Sequence, residues 1–271
     1  MVGVFDSGYG GLTVLKEILR VLPGYDYLYL GDNARAPYGT RSFDAVYRYT
    51  RECVRYLFER QCKLVILACN TASAKALRTI QQQDIPSWDP QFRVLGVIRP
   101  VTEMLGNTSL TGHVGILGTQ GTVQSLSYPI ELHKFFPDLV VTQQACPMWA
   151  PIVENGAYDS PGADFFIRQD LDSLLAKDRQ IDTVVLGCTH YPLLLHKIRA
   201  YLPSHIQVLS QGEVVAERLK DYLIRHPEME ARLSRGGTCR YITTDDVATF
   251  NDHAQHFLGR RVEASLWQHG E

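Results

Sequence analysis

Eight short, mostly apolar runs punctuate the chain: VGVF (2–5), YLYL (27–30), LVILA (64–68), RVLGVI (93–98), HVGILG (113–118), LVVT (139–142), TVVLG (183–187) and IQVLS (206–210). Most lack the strict apolar–polar alternation of a strand with one wet face. A run apolar on both faces is stable where both faces are covered, which means parallel strands with helices above and below. Amphipathic stretches lie between the runs. In LTVLKEILRVL (12–22) apolar residues recur at helical intervals, and Pro23-Gly24 stops the pattern. SFDAVYRYTRECVRYLFER (42–60) opens on Ser42, a natural N-cap, and ADFFIRQDLDSLLAK (163–177) is a third helix. The expectation is an α/β fold of mostly parallel sheets flanked by helices. Ligands of such folds bind beyond the C-terminal ends of the strands.

Two strand-and-turn strings occur twice. LVILACNT (64–71) and TVVLGCTH (183–190) each run from an apolar strand through a small residue to a cysteine and polar groups. VGVFDSGYG (2–10) and VGILGTQGT (114–122) each carry a strand into a glycine-containing turn with Ser or Thr. The members of both pairs stand at nearly equal separations. That spacing predicts two pseudo-symmetric lobes with the active site in the cleft between them. At about 100–200 residues per domain, a chain of 271 residues accommodates two lobes.

The charge balance removes several classes of partner. With 27 Lys and Arg against 29 Asp and Glu, and the cations scattered, nothing draws the chain to nucleic acid or an anionic membrane. No apolar stretch approaches the ~18 residues of a membrane span. MVGVFDSGYGG lacks the basic and apolar regions of a secretory signal, so a cytoplasmic protein is expected. In that reducing compartment the six cysteines are not expected to pair, and no CxxC string suggests zinc or redox chemistry. Cys188, His190 and His196 do not space as a zinc set, so no metal is expected.

Cys69 and Cys188 each sit one residue past an expected strand, followed by Asn70-Thr71-Ala72-Ser73 and by Thr189-His190. A helix N-terminus at either place would favour the thiolate. A thiol with an ordinary pKa of about 8.5 serves as a base in one turnover and an acid in the next. Cys53, Cys62, Cys146 and Cys239 lack that context and read as packing or inert thiols. Inverting an sp³ carbon needs a base on one face and an acid on the other, which two facing thiols supply. Racemisation or epimerisation is therefore the expected class.

The remaining motifs suit an amino-acid ligand. In FDSGYGGLTV (5–14), Asp6 and Ser7 end the first strand, and glycines let the backbone approach a ligand before a helix begins at Leu12. The spacing is that of neither GxGxxG nor a P-loop. In GDNARAPYGT (31–40), Pro37 fixes its own φ, Ala36 is pushed toward extended geometry, and Gly39 permits the turn. Arg35 meets either a ligand carboxylate or a structural partner. His190 either tunes Cys188 or is structural.

Taken in order, FDSGYGGLTV, DNARAPYGTRS, ACNTAS, GVIRP, LGTQGTV, CPMWAPIVENG and LGCTHYPLL resemble the signature strings of the aspartate/glutamate racemase family, in particular its cofactor-independent glutamate racemases. The resemblance runs from residue 2 to about 215 and weakens beyond. It implies interconversion of L- and D-glutamate without a cofactor, supply of D-glutamate for peptidoglycan, and a homodimer. It implies crossings near residues 95 and 211, so that 1–94 with 212–271 form one lobe and 95–211 the other. Cys69 looks like the base for D-glutamate and Cys188 like the base for L-glutamate. Asp6, Ser7, Pro37, Tyr38, Gly39, Asn70, Thr71 and Thr189 match positions that hold substrate. Asp6, Glu154 and His190 match groups that assist the thiols. Arg99 stands where an uncharged residue is common, and Ser210-Gln211-Gly212 where an acidic one is common.

Three other readings stay open. One is a racemase of the same family acting on aspartate or a hydantoin, against which the DSG and PYG strings weigh. Another is a Cys-dependent hydrolase with Cys188 as nucleophile and His190 as base, although residues i and i+2 at a strand end are expected to point apart. A third is a two-lobe amino-acid binding protein, which needs neither thiol. No lysine stands in a recognisable Schiff-base context, which agrees with the absence of a cofactor.

Overall fold

The computed structural model describes residues 1–106 and 108–267. Among these residues ten strands form two sheets, and every strand pair is parallel. The first sheet contains β1 (Val2–Asp6), β2 (Tyr27–Gly31), β3 (Leu64–Leu67), β4 (Arg93–Gly96), β9 (Cys239–Thr243) and β10 (Ala264–Leu266). The second contains β5 (His113–Gly118), β6 (Val140–Ala145), β7 (Thr183–Gly187) and β8 (Gln207–Leu209). Their orders are β10-β9-β2-β1-β3-β4 and β6-β5-β7-β8. Without β9 and β10 the two orders are the same. The repeated sequence strings occupy equivalent strands: β1 and β5 are central, and β3 and β7 lead to the two cysteines.

Both faces of the central strands are covered, as their continuous apolarity requires. Val2 and Val4 of β1, with Leu64 and Ile66 of β3, face one apolar cluster; Phe5, Val65 and Leu67 face another on the opposite side. In β7, Val184 and Leu186 face the first of these clusters and Val185 faces a third. The first cluster therefore gathers buried residues from both sheets, such as Tyr29 and Leu117, and from their helices, such as Leu15 and Trp149. One continuous core joins the lobes.

The helices follow the apolar spacing. Leu12–Val21, Phe43–Glu59 and Pro161–Lys177 are α-helical, and Ser42 Oγ caps the second by accepting the Ala45 N–H at 3.2 Å. Two strand boundaries differ from the sequence reading by more than one residue. RVLGVI stops being a strand at Gly96, because the Val97 N–H turns to Ser73 Oγ at 3.3 Å and Ile98–Leu105 coils into a helix. LVVT begins a strand that runs on to Ala145. That strand lies at a sheet edge, which accommodates Gln143 and Gln144. Beyond β8, the helix Gln211–Arg225 packs along Leu12–Val21, and β9 and β10 extend the first sheet beside β2. No helix among the described residues is long and apolar enough to cross a membrane.

The turn after β1 touches the turn after β7. A Cβ added at Gly10 would lie 2.3 Å from Thr189 Oγ1 and 2.5 Å from His190 Nδ1. Thr13, the second residue of the following helix, directs its hydroxyl between the Gly10 carbonyl at 2.8 Å and the Thr189 carbonyl at 2.9 Å. This close approach brings the strand ends of the two sheets to one cleft. Gly10→Ala should therefore cost about 1–3 kcal/mol in urea unfolding, since neither neighbour can withdraw from a packed seam. Gly24→Ala, where the added methyl meets nothing within 4 Å, should stay within about 0.5 kcal/mol.

Candidate active site

Cys69 lies two residues past the last residue of β3 and caps the six-residue helix Asn70–Lys75. Its sulfur accepts the Ala72 N–H at 3.4 Å and stands 3.4 Å from Ser7 Oγ at the end of β1. Asp6 is buried beside them. Its Oδ2 accepts the Gly8 N–H at 2.9 Å, while Oδ1 has no hydrogen-bond partner among the described residues. Burial raises the Asp6 pKa, and the charge of His190 and the N–H groups of Gly8 and Gly11 oppose it. Burial, and after it the charge of Asp6, push the Cys69 thiol up to about 12 against the Ser7 and Ala72 donors. A helix N-terminus was expected to favour the thiolate there. In a water-poor site, desolvation outweighs the half-charge of a helix this short.

Cys188 follows β7 directly, and the first helical residue after it is Tyr191, in a 3-10 turn. The sulfur is thus not at an α-helix N-terminus. It faces a side chain instead. His190 Nδ1 lies 3.8 Å from Cys188 Sγ, and His190 Nε2 lies 2.9 Å from Glu154 Oε1 at the end of the helix Trp149–Glu154. Residues i and i+2 were expected to diverge. They converge because the chain bends at Thr189 instead of continuing as a strand. Burial alone would lower the His190 pKa, but hydrogen bonds and charge from Cys188 and Glu154 raise it to about 10.

The charge of Cys188 adds to the rise at Cys69, and both His190 and Glu154 act on Asp6. Cys69, Cys188, Asp6, Ser7, Asn70, Thr71, Thr189, His190 and Glu154 thus collect around one cleft. Thr71 Oγ1 meets Thr119 Oγ1 at 2.9 Å across it.

The Pro37-Tyr38-Gly39 loop contributes differently from its side-chain chemistry. The Ala36–Pro37 bond is cis. Tyr38 turns its ring inward against Phe5 and Tyr49, and its hydroxyl hydrogen-bonds buried Asp32. The loop is left to offer backbone groups, and the Gly39 carbonyl accepts the Gly121 N–H at 2.8 Å. Arg35 is structural: its Nε donates to Asp32 at 2.7 Å and it also pairs with Glu52. Arg99 pairs along its own helix with Glu103 at 2.8 Å, away from the thiols.

Among the described residues, no three His, Cys, Asp or Glu side chains converge as a metal site. His196 lies at the surface, 3.4 Å from Asp159. Several side chains near these groups were not singled out in the sequence: Thr119, Thr122, Tyr128 and Lys75. Thr119 and Thr122 lie within LGTQGTV, whose likeness to the family strings was the available clue, and both hydroxyls meet Thr71 Oγ1.

The sequence matches the profile of the Asp/Glu/Hydantoin racemase family over residues 2–259. The chain belongs to that family. It is 39% identical to a glutamate racemase of Geobacter metallireducens, over 96% of this chain and 93% of that protein. The crystal structure of glutamate racemase isoform RacE1 from Bacillus anthracis superposes with a TM-score of 0.90 at 35% identity, over 99% of this chain and 97% of that one. Glutamate racemase of Francisella tularensis, solved in complex with D-glutamate, superposes with a TM-score of 0.86 at 28% identity, over 98% and 95% of the two chains.

In this racemase-family chain the raised His190 pKa makes a measurable prediction. By NMR titration the His190 ring should lose its proton near pH 10, not near the ordinary value of about 6.5. Glu154→Gln should move that midpoint down, because one of its two raising partners becomes neutral. A group with a raised folded-state pKa stabilises the fold fully below its unfolded value. Stability from this contact should therefore be complete below about pH 6.5 and lost as pH rises through about 10. A wild-type midpoint near 6.5 would contradict the Cys188–His190–Glu154 coupling.

Proposed function

We propose that this chain is a glutamate racemase that interconverts L- and D-glutamate by direct proton transfer between Cys69 and Cys188. The observation that carries the reading is the pair of thiols, one following a strand of each sheet at equivalent positions, with Cys188 near enough for its charge to act on Cys69. The family membership and the names of the relatives support glutamate as the substrate. The likeness to a structure solved with D-glutamate supports it further.

The chemistry needs no group beyond those present. Cys69 as thiolate takes the α-proton of D-glutamate, and the Cys188 thiol delivers a proton to the opposite face; for L-glutamate the roles reverse. His190, held as an imidazolium by Glu154, is a proton store beside Cys188. Asp6, with one oxygen unpartnered, is placed to meet the substrate ammonium or to assist Cys69. Ser7, Asn70, Thr71 and Thr189, with the backbone of the Pro37-Tyr38-Gly39 loop, hold the carboxylates. Fixed dipoles in a dry cleft stabilise the charge that develops at the α-carbon.

The same reading includes the lobes as 1–94 with 212–271 and 95–211, of which residues 107 and 268–271 lie outside the described residues. It also includes a homodimer, a cytoplasmic setting and supply of D-glutamate for peptidoglycan. A second reading has one observation in its favour. The Cys188–His190–Glu154 array, at 3.8 and 2.9 Å, is the order of groups in a cysteine hydrolase. It leaves Cys69 and Asp6 without a task.

One experiment separates the two. Turnover of L-glutamate in D₂O should yield D-glutamate carrying α-deuterium. Replacing Cys69 or Cys188 by Ala should lower racemisation by about 10²–10⁴-fold or more, the range for a general acid or base. Full activity in either single mutant would refute the two-thiol scheme, and a trapped acyl-enzyme on Cys188 would favour the hydrolase.

A further inference from the structure

Three side chains from distant parts of the sequence form a closed polar network behind Cys69. Asn70 is the first residue of the helix that Cys69 caps, Tyr128 belongs to the helix Ser127–Phe135, and Gln211 opens the helix Gln211–Arg225. Their exposures are 2%, 0% and 3%, so water cannot stand in for a lost partner. Asn70 Nδ2 donates to Gln211 Oε1 at 2.6 Å, and Gln211 Nε2 donates back to Asn70 Oδ1 at 3.0 Å. Tyr128 donates its hydroxyl to Asn70 Oδ1 at 2.9 Å and accepts a hydrogen bond from Gln211 Nε2.

The donor inventory gives this network a direction. An amide oxygen has two acceptor sites, and Tyr128 and Gln211 fill both on Asn70. An amide nitrogen has two hydrogens, and the network uses one. Asn70 is thereby left with an N–H to give and no acceptor to offer. Resting on the glutamate racemase reading above, we infer that Gln211 is a positioning residue. Together with Tyr128, it fixes the polarity of the Asn70 amide so that a donor stays available for a substrate carboxylate. Gln211 acts through Asn70 and makes no contact with substrate itself.

The polarity depends on Gln211 being an amide. Glutamate has the same shape but no donor when ionised. Opposite the Asn70 amide, one of its oxygens must then face Asn70 Oδ1, whichever way Asn70 turns. Once that carboxyl is ionised the reciprocal pair is lost without a change in volume; burial favours the protonated acid, which keeps a donor, so the kinetics are compared across pH and the loss should deepen as pH rises.

The test compares wild type, Gln211→Glu, Asn70→Ala and the double variant, measuring kcat and KM for L- and D-glutamate and the thermal midpoint of each. Gln211→Glu should raise KM about tenfold in both directions, as for a hydrogen bond to a charged group, with a smaller effect on kcat. In the Asn70→Ala background the same substitution should add nothing, because its effect passes through Asn70. A wild-type KM in Gln211→Glu, or a full effect in the Asn70→Ala background, overturns the inference. If Gln211→Glu does not fold, Tyr128→Phe removes one donor from Asn70 Oδ1 and should also raise KM; an unchanged KM there overturns it. Wild-type protein that fails to racemise glutamate would refute the functional reading instead, so the two failures are distinguishable.

Discussion

The close seam between the turn after β1 and the turn after β7 governs the geometry of the site. A backbone lies this close to two neighbouring side chains only where it carries none of its own, and at Gly10 an added carbon would meet Thr189 Oγ1 and His190 Nδ1 at 2.3 and 2.5 Å. The same seam is tied by Thr13 to the Thr189 carbonyl and, across the cleft, by Gly121 to the Gly39 carbonyl. Behind it, one apolar cluster passes through both sheets. Packed interiors resist small displacements, so the distance between the strand ends is set by the core and not by the loops.

Backbone symmetry does not extend to the chemistry around the sulfurs. Cys69 and Cys188 follow strands of equivalent rank in sheets of the same order. Yet Cys69 is surrounded by a hydroxyl, a backbone N–H and a buried carboxylate, whereas Cys188 faces an imidazole backed by Glu154. Burial raises the first thiol, while on the other side the charged partners overcome burial and keep a histidine protonated. In a low-dielectric cleft the immediate partner decides the balance, since neighbouring charges act there with little screening. The two-thiol proton transfer proposed above tolerates such asymmetry, because each thiol would only have to match the substrate carbon in its own direction.

Much of this was legible along the chain. Continuous apolar runs announced parallel strands covered on both faces, and the repeated strings announced two sheets of one order. That the turns carrying Cys69 and Cys188 lie near one another was legible because parallel strands present their C-terminal ends together. Other features were not. The helix-terminus expectation failed at Cys69 because burial, invisible in a sequence, outweighs a short helix, and at Cys188 because no α-helix begins beside it. Arg35 was ambiguous between ligand and structure until Asp32 and Glu52 were seen beside it. The expected divergence of Cys188 and His190 assumed a continuing strand, and the bend at Thr189 removed that assumption.

The sequence by itself determined the fold class, the repeat, and which two thiols end equivalent strands, because hydrophobic periodicity and local turn chemistry are properties of neighbouring residues. Only the tertiary structure decided which groups surround each thiol. Asp6 and Ser7 reach Cys69 from another strand, and Glu154 reaches His190 from another helix. Tyr128 and Gln211 reach Asn70 from two further segments. Such contacts join residues far apart in the chain, and their strength depends on how much water the packed lobes exclude, which no local pattern of residues records.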